Sequence, residues 1–266
     1  MRGTPLAVLL VAVFAVLAAL PPARPADAQA RVSVDSAQFA VFEREVPVAT
    51  ERCMYNSIGD SLVVVATMQR TFVDEQGGRH PLRKSMMLVV DAYDMGLIRY
   101  HSTQKFDDHE IVRGLIPSDT SLTYFIELDG GGNADQVVQP PGKLFVMDSQ
   151  MFSLFDVLSR SLANKTFTTR RVQLLALQPD SLAAPLATVT ALGADTVLIG
   201  RSKQVMKHYA FEDESARFEL WSDREGRLVR LIHADSELRV ERVPTSPASA
   251  PKPPGGKKPS GGGAAH

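Results

Sequence analysis

The chain has one cysteine, Cys53, and one tryptophan, Trp221, in 266 residues. A lone cysteine excludes an intrachain disulfide and a cysteine-based metal site, so the fold must be held by its core. Beyond Leu20 no apolar run is long enough to cross a membrane as a helix. There is no Gly-x-Ser-x-Gly elbow and no His-Glu-x-x-His zinc helix. Net charge is −1, and no basic stripe marks a nucleic-acid surface. No cofactor motif stands out either. The nearest is Asp129-Gly130-Gly131-Gly132, which lacks the Gly-Lys-Ser/Thr of a phosphate loop.

The two ends are separable from the rest. Arg2 precedes an unbroken apolar run of fifteen residues, Leu6–Leu20. Pro21 and Pro22 then break any helix, and Ala28-Gln29-Ala30 places small residues at a cleavage position. This is the layout of a secretory signal, with cleavage expected after Ala30 and a periplasmic or secreted product. From residue 245 onward the chain is almost entirely Pro, Gly, Ser, Ala and Lys, with no large apolar residue. Such a tail cannot offset its ordering entropy and is expected to be disordered. Residues 31–244 are left as one domain, net acidic once the basic leader and tail are set aside.

That domain reads as strands. Ser61–Val73 is the longest β-branched run and the candidate central strand. Arg83–Tyr93 returns after a Gly-containing loop, and Leu97–Phe106, His109–Ile116 and Leu122–Leu128 continue an antiparallel meander. Asp129–Gly142 reads as a mobile loop. Ala187–Leu192 and Thr196–Gly200 read as a hairpin around Gly193-Ala194-Asp195. The last hairpin pairs Phe218–Trp221 with Leu228–His233, and Gly226 suits a positive-φ turn position.

One helix interrupts the strands, at residues 148–162. Met151, Leu154, Phe155, Leu158 and Leu162 recur at helical spacing, and Asp148 or Ser149 is the candidate N-cap. A helix with that face among many strands must bury it against a sheet. The fold class is therefore mainly β, a strongly curved antiparallel half-barrel with one amphipathic helix on its concave face.

Candidate sites are few. Phe152, Phe155 and Leu158 on the helix, with Trp221 from the last hairpin, are the candidate contacts for an apolar ligand. His101, Asp107 and His109 are the metal-ligand alternative, although neighbours in a strand point to opposite faces and cannot all converge. Asp107-Asp108-His109-Glu110 equally makes an ordinary polar turn. Cys53 reads as a buried, inert thiol.

The Leu220-Trp221-Ser222-Asp223 and Gly226-Arg227-Leu228-Val229-Arg230 hairpin, on a chain with this layout, resembles uncharacterised periplasmic proteins of the DUF3108 type. More distantly it resembles the LolA/LolB-like lipoprotein-carrier superfamily. That resemblance implies a half-closed sheet with helix over its concave side and an acyl-binding cavity beneath. The chain departs from those carriers in having one clear helix. The expected function is a non-enzymatic envelope protein carrying a lipid or other apolar molecule. The alternatives are a metal-dependent hydrolase and a protein-interaction or assembly module with an envelope partner.

Overall fold

The structure is a computed structural model and describes residues 32–178, 181–199, 202–214 and 216–243. The expected leader and tail lie outside them. Strands β1 (Val32–Glu43), β2 (Val46–Ile58), β3 (Ser61–Val73), β4 (Arg79–Asp91), β5 (Leu97–Phe106), β6 (His109–Pro117), β7 (Ser121–Leu128) and β8 (Gly131–Val138) come first. Strand β9 (Leu144–Asp148) leads into helix α1 (Ser153–Leu162). Then come β10 (Thr169–Leu177), β11 (Leu182–Ala183), β12 (Leu186–Ile199), β13 (Ser202–Glu212), β14 (Arg217–Ser222), β15 (Leu228–His233) and β16 (Leu238–Val243).

All belong to one sheet. Its order runs β11-β10-β12-β13-β14-β15-β16-β1-β2-β3-β4-β5-β6-β7-β8, and the ends do not pair with each other. Neighbours along that path are antiparallel; β9 is the exception and pairs parallel with β10. Alternation sets the two faces. In β4, Leu82, Lys84, Met86, Leu88 and Val90 are buried, while Arg83, Ser85 and Met87 between them are exposed. One core collects inward residues from nearly the whole path, including Phe39, Tyr55, Leu88, Tyr100, Leu175, Phe211 and Leu231. Strands so far apart in the ladder share a core only because the sheet curls around α1, as the half-barrel expectation requires.

The helix is more enclosed than its apolar pattern suggests. Leu154, Val157, Leu158 and Leu162 are buried, and so are Ser153, Asp156, Ser159 and Ser161 on its polar side. It begins later than expected. Asp148 ends β9 and Ser149 precedes the first turn, so neither is the N-cap, and Phe152 holds that position without a side-chain cap of its own.

Two further expectations change. The stretch 129–142 is a loop only at residues 139–142: Leu128 pairs with Gly131 across Asp129 and Gly130, and β8 extends the sheet. Asp129 and Gly130 have φ of 51° and 82°, the backbone of a two-residue Asp-Gly hairpin turn. Gly193 is likewise no turn. It sits at a bulge within the continuous β12, with φ 105°, and pairing to β13 runs on to Ile199–Ser202. The strands beyond this bulge fold over the outer face of the sheet. There Val197 joins Met206, Trp221 and Val229 in a second, smaller core. Arg230 also reaches the Leu198 carbonyl, at 3.4 Å.

The last hairpin pairs as expected, with Leu220 opposite Leu231 and Trp221 opposite Arg230. Its turn is set against α1. Gly226 has φ 80°, and a Cβ there would lie 2.6 Å from the Ala163 Cβ and 2.9 Å from the Arg160 Cα. Gly226→Ala is therefore expected to cost roughly 2–4 kcal/mol, from backbone strain plus a clash with helix backbone. Urea unfolding of the variant beside the parent measures it.

Candidate functional site

The concave side of the sheet holds α1 through two polar clusters, neither of them marked by a sequence motif. The first begins at the helix N-terminus. Glu51 reaches across from β2, and its carboxylate accepts the backbone N–H of Phe152 at 2.6 Å and of Ser153 at 3.1 Å, as well as the Ser153 hydroxyl. It caps the helix from about a hundred residues away, supplying the acceptor that Phe152 lacks. Burial pushes the Glu51 carboxyl up to about 7, against the pull of its three donors.

The same cluster continues along the polar side of α1. Asp156 accepts the Leu228 N–H at 2.6 Å, the Arg160 Nε at 2.6 Å and an Arg242 guanidinium N–H at 3.2 Å. Arg160 and Arg242 both donate to Asp35 of β1. Burial raises Asp35, but the two guanidiniums outweigh it and hold the carboxyl below its ordinary value. Arg160 also lies 4.3 Å over the Tyr55 ring. Helix, β1, β15 and β16 are tied at one point.

The second cluster fixes the end of β9. Asp148 pairs with Lys84 of β4 and accepts hydroxyls from Tyr100 at 2.6 Å and Ser102 at 3.0 Å, both on β5. The Lys84 ammonium also donates to the Ser149 carbonyl at 2.9 Å. Burial depresses the Lys84 ammonium, and Asp148 opposes that shift. The side chains of Lys84 and Asp148 are each 1% exposed. Lys, Asp, Tyr and Ser would suit acid–base chemistry in an open cleft. Here no substrate reaches them, and they brace β9 against β4 and β5.

The sequence did carry a trace of these residues. Lys84 lies in phase with Leu82, Met86, Leu88 and Val90, and Glu51 with Cys53 and Tyr55. A charge on a core-facing phase announces a buried partner, but not which one.

The residues singled out for an apolar ligand do not converge. Phe152 and Leu158 are buried in the main core. Phe155 is half-buried at its margin, 5.7 Å from the Phe211 ring and 5.0 Å from the Phe218 ring. Trp221 faces the opposite side of the sheet, in the outer core. It stacks on His208 at 4.3 Å and donates its indole N–H to Asp195 at 2.9 Å. A cavity where Leu154 and Val157 of the helix face β4, β5 and β9 holds about 10 Å³.

The metal alternative is also dispersed. His101 lies mid-strand, 6.3 Å from the Phe125 ring. Asp107 bonds His80 at 2.8 Å, and His109 bonds Asp129 at 2.9 Å. No group of three metal-ligand side chains forms among the described residues. Cys53 is buried, and burial lifts its thiol to about 12, as an inert thiol requires.

No family model matches the chain, and no curated protein matches it in sequence. Likeness to solved structures is found in the fold. A β-barrel-like protein of the domain of unknown function DUF1849, from Brucella abortus, superposes with a TM-score of 0.51 at 11% identity, over 80% of this chain and 98% of that one. A DUF1089 family protein from Pseudomonas aeruginosa aligns at a TM-score of 0.45 and 14% identity, over 68% and 88%. At such identity the first likeness concerns the fold alone.

Glu51 makes a pH-dependent prediction. Its folded value of about 7 lies above the ordinary 4.5, so the folded chain holds the extra proton. Its contribution is complete below about 4.5 and is lost as pH rises through about 7, on the order of 3 kcal/mol. Glu51→Gln should remove that slope, read as the difference between the two stability–pH curves. Glu51→Ala should cost roughly 2–4 kcal/mol below about pH 4.5, because it leaves buried N–H groups without an acceptor, and progressively less as pH rises through about 7.

Proposed function

We propose that the chain is a non-enzymatic binding module of the bacterial envelope that meets a protein partner through its outer surface. One observation carries the reading: the concave side, where a ligand or substrate would sit, is filled. The helix occupies it, one polar cluster holds that helix and the other braces β9, and the space left against β9 is about 10 Å³. That is room for about one water molecule, far short of a lipid or substrate. An exported chain with a closed interior offers its outer faces and its sheet edge. That edge is β8, exposed at all eight positions, and an open strand is a surface on which another chain can pair.

A second reading keeps the carrier resemblance: a lipid or other apolar molecule held under the helix. The observation that favours it is Phe155, half-buried against Phe211 and Phe218 at the margin of a continuous apolar interior. This reading requires α1 to leave its seat, which breaks the Glu51 cap and the Asp156 ties.

Native mass spectrometry separates the two, using residues 31–266 purified from their own envelope without detergent. The expected result is the mass of the bare chain. Near-stoichiometric mass removable by organic solvent would overturn the module reading in favour of carriage. Phe155→Ala should then lower ligand retention more than stability.

A further inference from the structure

The outer face of the sheet is divided. Over β14 and β15 it is covered by the folded-over part of β12 and β13. Over β2, β3, β4 and β5 no described residue covers it. There the register aligns one outward row: Met54 opposite Val65, Val65 opposite Met87, Met87 opposite His101. The row continues to Gly114 on β6, whose missing side chain leaves room for the Phe125 ring. Met54 is 54% exposed and Met87 36%. Val63 and Val89 pair in the adjacent row. Beside Met54 opens a groove of about 370 Å³ lined by Ser36, Gln38, Arg52, Met54, Val65 and Thr67.

Charge on this face is mostly cationic. Arg52, Arg83 and Arg99 point outward beside the apolar rows and are exposed. None of the three has a carboxylate partner among the described residues, whereas Lys105 at the far end pairs with Glu110 at 2.5 Å. The outward positions of β2 to β5 hold one carboxylate, Asp91, at the end of β4. In a chain of net charge −1 this is a segregated cationic surface with an apolar centre.

We infer that the outer face of β2 to β5 is a docking site for a protein segment that carries acidic residues around an apolar anchor. The inference rests on the module reading above and names its surface. Methionine adapts to varied apolar shapes, and arginine binds carboxylates in a planar fork. Both are enriched where protein interfaces bind. The groove beside Met54 takes a side chain, which favours a protein segment over a lipid surface. The unpaired guanidiniums select the sign of the partner's charge and speed its approach.

The test selects short random peptides displayed on phage against the immobilised full chain, with Arg52→Glu/Arg83→Glu/Arg99→Glu as counter-target. The expected outcome is enrichment of peptides combining Asp or Glu with Leu, Ile or Phe. A synthetic copy of an enriched peptide should bind the triple variant at least about tenfold more weakly and lose affinity as salt rises. Met87→Asp should weaken it comparably while thermal unfolding stays near that of the parent. No enrichment, enrichment without acidic residues, or binding that survives the triple substitution overturns the inference. So does binding to phosphatidylglycerol vesicles that the triple substitution abolishes, which makes the occupant an anionic membrane. A bare chain by native mass spectrometry with no acidic peptide selected removes this site and leaves the module reading standing. Bound lipid by mass spectrometry removes that reading itself.

Discussion

A helix enclosed on all sides must bring its polar side into the core, and the rest of this structure answers that requirement. Ser153 and Asp156 would face water on an ordinary amphipathic helix. Here the sheet closes over them, and each unmet group would cost about 1–3 kcal/mol. Glu51 and Asp156 meet most of the demand. The first takes the free N–H groups at the helix start, and the second binds the strand hairpin behind it. Ser159 is the exception, its hydroxyl without a hydrogen-bond partner among the described residues. Gly226 belongs to the same constraint, because its turn sits where a side chain would strike the helix.

The parallel strand β9 depends on the second polar cluster. Its ladder partner is β10, and antiparallel order is lost on that side of the sheet. Apolar contacts alone would accept a slipped register, since Leu144, Phe145 and Val146 are interchangeable in chemistry. Asp148 is not interchangeable. It must meet Lys84, Tyr100 and Ser102 together, and one register does that. Buried ion pairs are poor sources of net stability but good markers of a unique arrangement. The cluster therefore sets where β9 ends and where α1 begins.

The sequence was most legible where one local pattern decided the outcome. A β-branched run placed β3, glycine-bearing turns set off β4 and the last hairpin, and 3.6-residue spacing placed the helix. It was least legible where one local signal had two meanings. Asp129-Gly130 reads as flexibility by composition and as a hairpin turn by conformation, and the conformation prevailed. Gly193 marks a bulge where a turn was expected, since both use positive φ. The N-cap was out of reach, because Glu51 lies far away along the chain. Trp221 was grouped with the helix residues, yet it lies on the other face of its strand from Leu220. Nothing local told that Asp195 and His208 would cover it.

The cationic outer face was invisible for a related reason. Arg52, Arg83 and Arg99 stand on three strands, separated by long stretches of chain that include carboxylates. A linear reading finds no basic stripe, and net charge averages the segregation away. The ladder gathers the three arginines because alternate residues share a face and neighbouring strands stack their rows. The same registry aligns Met54, Val65 and Met87 between them. The β12–β13 arm covers part of the outer face, burying Trp221 and Val229. No described residue gives the row on β2 to β4 such cover, and the charges beside it are mostly cationic.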